Sequence, residues 1–173
     1  MSIKIIDNFL TKSYHKEILD LFNDSNFPWY YQSSITRANP KEDINELESI
    51  GFSHIFIDKD GPRFTNYYYL ILPYILKVKD LLNAGTVLRC RSDMTLYSKN
   101  GYEHGYHLDF NQPNIATVYY VNDSDGDTII KKTQKRIKPK SNRLVIFDGN
   151  TLHTGCSPKQ HKNRILINSN YVK

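Results

Sequence analysis

The pentapeptide Tyr106-His107-Leu108-Asp109-Phe110 decides how the rest of the chain is read. In an extended segment, residues two apart point to the same face, so the His107 imidazole and the Asp109 carboxylate converge. The pair supplies two of the three ligands of a 2-His-1-carboxylate set, which occupies one face of an octahedron and leaves the other open. An H-x-D tripeptide alone is a weak signal. A third ligand has to come from a distant strand, and His153, in Thr151-Leu152-His153-Thr154-Gly155, follows the apolar run from Arg143 to Phe147. Eleven residues further, Arg164 opens the run Arg-Ile-Leu-Ile-Asn. A guanidinium is permanently charged and binds a carboxylate through two parallel hydrogen bonds. Taken singly, His153 also reads as a loop histidine and Arg164 as a strand-end surface charge. Their joint order is what points to a metal site beside an anion site.

Working outward, residues 87–97 alternate. Leu88, Cys90, Met94 and Leu96 fall on one face, and Arg89, Arg91, Asp93, Thr95 and Tyr97 on the other. Further strand-like runs are 105–110, 115–121, 127–132, 143–148 and 163–172, separated by turns bearing Asn, Asp, Gly or Pro. Toward the N-terminus, residues 3–7 read as a short strand and Tyr14, Ile18, Leu21 and Phe22 as the apolar stripe of a helix. Thr11 or Ser13 is its N-cap. Phe27 to Tyr31 is an aromatic edge strand or loop wall, 36–50 a polar excursion that is either a lid or a plain loop, and 51–58 a strand. Pro73 suits the first turn of a second helix running to about Leu82. The expectation is an α+β chain forming one domain over 1–173. Residues 1–85 give helical support and a lid region, and 86–173 a metal-binding β-sandwich or barrel.

Composition bounds the class. The chain has 173 residues, 39% hydrophobic and 24% charged, as expected of one globular domain. A net charge of +5 is too small to argue for nucleic acid. No run approaches the ~20 apolar residues of a membrane span. The opening Met-Ser-Ile-Lys-Ile-Ile-Asp does not read as a secretory signal, so the expected location is cytoplasmic, with no membrane partner. Cys90 and Cys156 are expected to be reduced thiols, and they are too few for a cysteine-based zinc site. His104, three residues before His107, falls on the opposite face of an extended strand and reads as a surface residue.

The second half of the chain, roughly residues 86–172, resembles the Fe(II)/2-oxoglutarate-dependent dioxygenases, specifically the prolyl-4-hydroxylase-like branch. The H-x-D…H…R order of that family falls on His107, Asp109, His153 and Arg164. Tyr97 stands ten residues before the first histidine, as is typical of the branch. Ala-Thr-Val-Tyr-Tyr-Val-Asn (116–122) resembles the strand after the H-x-D motif. Ser124-Asp125-Gly126-Asp127-Thr128 resembles the following Gly-Gly-Glu-Thr turn, with one glycine and the glutamate changed. The resemblance implies a double-stranded β-helix, a jelly-roll or cupin-like barrel with supporting N-terminal helices. It implies Fe(II) on His107, Asp109 and His153, and 2-oxoglutarate as co-substrate, with ascorbate as an accessory. Arg164 is implied for the far carboxylate, with Tyr97 or Tyr120 donating a phenolic hydrogen bond. Asn168 stands where relatives often place a hydroxyl near the co-substrate. The implied reaction is hydroxylation of an unactivated C–H bond with release of succinate and CO2.

The substrate is read less directly. The branch favours a prolyl residue in a peptide or protein. Arg91 and Asp93 either line the substrate mouth or form a solvated edge, and Trp29, with Tyr30 and Tyr31, either stacks on substrate or fills core. The run 131–143 carries seven basic groups and no acid, which fits a solvated hairpin edge or a phosphate-binding patch. A nucleic acid or a small molecule is therefore the alternative substrate, and a non-catalytic cupin-like binding module the third reading.

Overall fold

The computed structural model describes residues 2–35 and 50–172, so all of the 36–50 excursion except Ile50 lies outside the described residues. In chain order the elements are β1 (Lys4–Asp7), α1 (Lys12–Asn23), β2 (Tyr30–Gln32), β3 (Gly51–Asp58), β4 (Gly61–Pro62), α2 (Asn66–Leu82) and β5 (Thr86–Leu96). Then follow β6 (Ile115–Tyr120), β7 (Thr128–Ile130), β8 (Lys135–Ile137), β9 (Arg143–Asp148), β10 (His153–Gly155) and β11 (Asn163–Val172). The large sheet runs β1-β9-β6-β11-β5-β3-β2, with β4 hairpinned onto β3. A small sheet runs β10-β7-β8. All pairings are antiparallel, and the two sheets do not close edge to edge. This is the expected α+β jelly-roll architecture, a double-stranded β-helix with two helices.

Period-2 alternation assigns each face of the large sheet its own cover. Tyr119, Val121, Leu144, Ile146, Ile165, Ile167 and Tyr171 meet Ile18 and Phe22 of α1 and Ile71, Tyr74, Ile75 and Val78 of α2 in one buried core. Their sequence neighbours Ala116, Val118, Tyr120, Val145, Phe147 and Leu166 face the other way, onto Ile130 and Ile137 of the small sheet. Burying one such aliphatic or aromatic side chain is worth roughly 1.5–3 kcal/mol, so a one-residue slip of β11 would forfeit both cores at once. Between the sheets, β11 turns Arg164, Leu166, Asn168 and Asn170 inward. They pair across to Thr95, Asp93, Arg91 and Arg89 of β5. That ladder is the floor of the site.

Two local expectations change. Residues 105–110 do not form a strand, and Glu103 and His107 only make isolated bridges to Cys156 and His153. Pro73 sits inside α2, not in its first turn, because Thr65 caps the helix eight residues earlier, its Oγ1 accepting from the Tyr68 N–H at 3.2 Å. An interior proline removes one helical donor and disturbs the turn around it. Here the Tyr14 hydroxyl, from α1, repairs the turn. It donates to the Leu70 carbonyl at 2.7 Å and accepts from the Tyr74 N–H at 3.1 Å, bridging two groups that an unbroken helix would pair directly. Asn83, in the left-handed region at φ 47°, then closes α2, as an asparagine at that position can. Among the described residues no helix is long and apolar enough to cross a membrane.

Tyr14→Phe leaves the Leu70 carbonyl and the Tyr74 N–H unmatched in a half-buried turn. We expect it to cost about 1–3 kcal/mol, seen as a lower urea midpoint at unchanged slope. An unchanged midpoint would show that the bridge contributes nothing.

Candidate active site

The site begins with two backbone hydrogen bonds. The His107 N–H donates to the His153 carbonyl at 3.0 Å, and the His153 N–H returns the bond at 3.1 Å. Directly opposed residues of an antiparallel pair carry their side chains on the same face, and the two imidazoles lie 4.6 Å apart, centre to centre. Asp109 completes the group, its carboxylate 3.6 Å from His107 Nε2 and 3.9 Å from His153 Nε2.

What these atoms carry decides what they can hold. His107 Nδ1 faces the Gly105 carbonyl at 3.1 Å, and His153 Nδ1 faces the Thr151 carbonyl at 3.0 Å. A carbonyl only accepts, so each imidazole keeps its proton on Nδ1 and turns a lone pair on Nε2 toward Asp109. Three acceptors thus face one another with their ligand atoms within 4.8 Å. Only a cation satisfies such a set, so the residues fit a divalent metal. Protonation agrees. Burial pushes the His153 pKa down to about 4, which keeps the ring neutral at pH 7. Burial works to raise Asp109, but the charges and donors around it, the Arg89 guanidinium among them, hold it well below the usual carboxylate range. The Asp109 side chain is 1% exposed, with Arg89 Nη2 2.6 Å from Oδ1 and the Asn170 amide donating to Oδ2 at 3.0 Å.

Arg164 forms the second half. It is buried, and its Nη2 donates to Thr128 Oγ1 at 2.8 Å, while the guanidinium lies over the Tyr120 ring at 5.8 Å. The Tyr120 hydroxyl donates to the same Thr128 oxygen at 2.6 Å. Two glycines make room for the side chain. A Cβ on Gly155 would come within 3.0 Å of Arg164 Nη1, and one on Gly126 within 2.9 Å of Cδ. Arg164 Nε is buried with no hydrogen-bond partner, an unmatched donor that suits an anionic ligand. A cavity of about 50 Å³ is lined by His107, His153 and Arg164 together, with Thr95, Thr128 and Asn168 among its other walls.

The remaining sequence candidates divide. Arg91 and Asp93 do line this cavity, as an ion pair at 3.0 Å, so they face the site and not solvent. Asn168 also lines it, but its amide Nδ2 lies 3.5 Å from Asp109, beside the metal ligands. Tyr120 supports Arg164 from beneath, its hydroxyl already engaged. Tyr97 is a correction: it lies just past the end of β5, its N–H donating to the Lys162 carbonyl at 2.9 Å, and its side chain is 53% exposed and absent from the lining of this cavity. Thr95, cross-strand from Arg164, takes the inner place. Trp29 is a second correction, for its substrate reading only: it packs between Phe22 and Phe27 in the helix-side core, the other of its two readings. His104 is a third: it is buried and lines the cavity, because the irregular 103–107 segment does not follow strand periodicity. Thr128 had no role in the sequence reading. The altered turn around it hid the one signal, a hydroxyl after Gly126-Asp127.

The basic run 131–143 is partly neutralised by acids from elsewhere. Arg136 binds Asp127 and Glu103 at 3.0 Å each, and Lys140 and Arg143 both hold Asp7, at 3.0 and 2.6 Å. The Lys131 ammonium lies 4.9 Å from the centre of the Tyr106 ring.

Comparison with known proteins gives the class. Residues 92–172 match the model of the 2OG-Fe(II) oxygenase superfamily. No curated protein matches the chain. Among solved structures, the viral collagen prolyl hydroxylase of Paramecium bursaria Chlorella virus-1, in its 2OG complex, is similar at a TM-score of 0.66 and 14% identity, over 100% of this chain and 97% of that one. A Trichoplax adhaerens prolyl hydroxylase, in complex with a hypoxia inducible factor peptide fragment, gives 0.69 and 17% over 98% and 83%. A 2OG-Fe(II) oxygenase-family oxidoreductase from Burkholderia pseudomallei gives 0.72 and 11% over 98% and 84%. At these identities the structures speak for the fold. The family match, running from the middle of β5 to the end of β11, bears out the resemblance carried by the H-x-D…H…R order. Over residues 92–172 the chain is thus similar to the 2OG-Fe(II) oxygenase superfamily; Fe(II) and 2-oxoglutarate are the metal and co-substrate that this match implies, with His107, Asp109 and His153 the group that fits the metal.

One further side chain sets the approach to Arg164. The Asp125 carboxylate accepts from the Lys159, Gln160 and His161 N–H groups at 2.9–3.2 Å and from His161 Nδ1 at 2.8 Å, anchoring the turn before β11. Burial raises its pKa, but these donors outweigh burial and bring it from 3.8 to about 2. A carboxylate depressed in the folded state stabilises above its unfolded pKa and loses that contribution as pH falls through the folded value. The urea midpoint of Asp125→Asn should therefore lie below that of the native protein at pH 6 and converge with it between pH 4 and pH 2. A constant gap across that window would show that the carboxylate charge is not what anchors the turn.

Proposed function

We propose that this protein hydroxylates a C–H bond of a prolyl residue in a peptide or protein, using Fe(II) and 2-oxoglutarate. The observation that carries the proposal is one cavity walled by three mutually facing acceptors and by a buried guanidinium with an unmatched donor. His107, Asp109 and His153 would hold Fe(II), and Arg164, braced by Thr128, would hold the far carboxylate of 2-oxoglutarate. Bound there, the metal would supply the oxidative chemistry that couples conversion of 2-oxoglutarate and dioxygen to succinate and CO2 with hydroxylation of the substrate carbon.

The chain's own residues position and protect. The Gly105 and Thr151 carbonyls keep both histidines in the ligating tautomer, and Arg89 keeps Asp109 anionic. Thr128 fixes where the Arg164 charge sits, and Tyr120, Val118 and Leu166 keep water from that end of the cavity. We read residues 1–173 as a single oxygenase domain, with α1 and α2 as a buttress on the outer face of the large sheet. The prolyl assignment is supported by the prolyl hydroxylases that share this fold. A nucleic-acid substrate ranks below it, since Arg136, Lys140 and Arg143 already have carboxylate partners.

The test is succinate formation from 2-oxoglutarate under air with Fe(II) and ascorbate, before and after adding prolyl peptides. We expect iron-dependent turnover that is stimulated by a prolyl peptide, suppressed by a chelator and lost in His107→Ala and Arg164→Ala. Turnover that survives His107→Ala would refute the metal assignment. Thr128→Val, which keeps volume but removes the acceptor under Arg164, should raise the KM for 2-oxoglutarate roughly tenfold, the equivalent of one lost hydrogen bond to a charged group. An unchanged KM would remove Thr128 from the co-substrate site.

A further inference from the structure

Beside the metal-ligand cluster lies a second and larger cavity, of about 320 Å³, whose wall includes His107 and Asp109. Its charged lining consists of Asp58, Lys59, Arg89 and Arg91 as well as Asp109, and Leu88, Leu108 and Phe110 are apolar. Most of these charges have partners outside the group of three metal-facing acceptors. Asp58 accepts from Arg63 Nε at 3.1 Å, Lys59 meets Asp60 at 3.1 Å, and Arg91 meets Asp93 at 3.0 Å. Arg89 differs, because its carboxylate partner, at 2.6 Å, is Asp109, one of the three grouped acceptors.

A charge count over the loaded site leaves Arg89 over. A divalent metal is balanced by Asp109 and by the near carboxylate of 2-oxoglutarate, and the far carboxylate is balanced by Arg164. Nothing then balances the Arg89 guanidinium, whose side chain is only 18% exposed. A part-buried unmatched charge is costly, and an anion supplied by the substrate would relieve it. The donors are in place. Arg89 Nη2 serves Asp109 and Asn168 and Nε is buried, while Nη1 donates to none of the described residues and is the group left for a ligand. The guanidinium also lies 5.2 Å from the centre of the Phe110 ring, which holds it at the cavity wall.

We propose that Arg89 is a substrate-carboxylate subsite: the cavity takes a peptide segment bearing an Asp or Glu side chain next to the residue that is hydroxylated. The inference rests on the peptide-hydroxylase reading given above and deepens it. Leu108 and Phe110 pack the apolar part of the segment, and Arg89 receives the carboxylate once the metal has taken a share of the Asp109 charge. Anion binding here is therefore linked to metal loading.

The test is calorimetric titration of the full chain, loaded with Mn(II) and 2-oxoglutarate, with four capped tripeptides: Asp-Pro-Gly, Asn-Pro-Gly, Gly-Pro-Asp and Gly-Pro-Asn. We expect at least one Asp peptide to bind about tenfold more tightly than its Asn twin, as one charge-assisted hydrogen bond would give. The preference should shrink to less than about threefold in the metal-free protein, which needs no variant, and again in Arg89→Gln, with Mn(II) affinity of the variant measured alongside. Equal affinities for Asp and Asn peptides overturn the inference and leave the prolyl reading standing. An Asp preference undiminished without metal also overturns it, since it places the anion away from Asp109. Repeating the titration with Ala in place of Pro separates the two readings. Asp selectivity that persists without proline keeps the Arg89 subsite and removes the prolyl assignment, whereas no binding by any peptide removes both.

Discussion

Three lone pairs aimed at one point, with no proton among them, set the terms for this molecule. His107, Asp109 and His153 would repel one another if brought together in isolation, and the fold spends several other interactions to keep them so. Carbonyls at Gly105 and Thr151 remove the choice of tautomer. Arg89 and Asn170 grip the two carboxylate oxygens from behind. The reciprocal backbone bonds between residues 107 and 153 lock the two imidazoles onto one face. Arg89 and Asn170 are themselves held by the antiparallel ladder of β11 on β5, and His153 by the edge of the small sheet. The arrangement is poised against itself until a cation arrives, which is how a preorganised metal centre differs from a chance cluster of polar residues.

The two faces of β11 divide the labour. Ile165, Ile167 and Tyr171 point to the helices and supply burial, while Arg164, Asn168 and Asn170 point between the sheets and supply charge and donors. A strand with a period of two does both jobs within one run of ten residues, because stability and chemistry use alternate positions. The helices matter to the site only at second hand. They cover the outer face, and the Tyr14 hydroxyl lets a proline-bearing α2 lie against it without stranding its backbone.

Much of this was legible in the residues alone, and the failures share a cause. Alternation gave the two faces of β5, the strand-like runs gave the positions of β6, β9 and β11, and the H-x-D…H…R order named the three acceptors and the buried guanidinium. Tyr97 and His104 were misplaced because both readings extended strand periodicity beyond the continuous ladder of β5, into segments held only by isolated backbone hydrogen bonds to Lys162 and Gly155. Periodicity belongs to the ladder and not to the chain. Trp29 was offered to the substrate because an aromatic cluster looks the same whether it faces a ligand or Phe22 and Phe27. Pro73 was set at a helix start because local rules cannot know that a tyrosine some sixty residues earlier in sequence will mend the turn. Thr128 and the neutralised basic run were missed for the same reason. Their partners, Arg164 and Asp7, are distant in sequence and adjacent only in space.

The reciprocal pairing of residues 107 and 153 also bears on chain topology. The two histidines lie 46 residues apart and close a loop of that length, joined in the metal-free state by two amide hydrogen bonds. An ion shared between them acts as a cross-link, and a cross-link across a long loop removes more freedom from the unfolded chain than one across a short loop. Loading the site is thus a folding event as well as a catalytic one. The protein's resistance to unfolding becomes a measure of how much iron it carries.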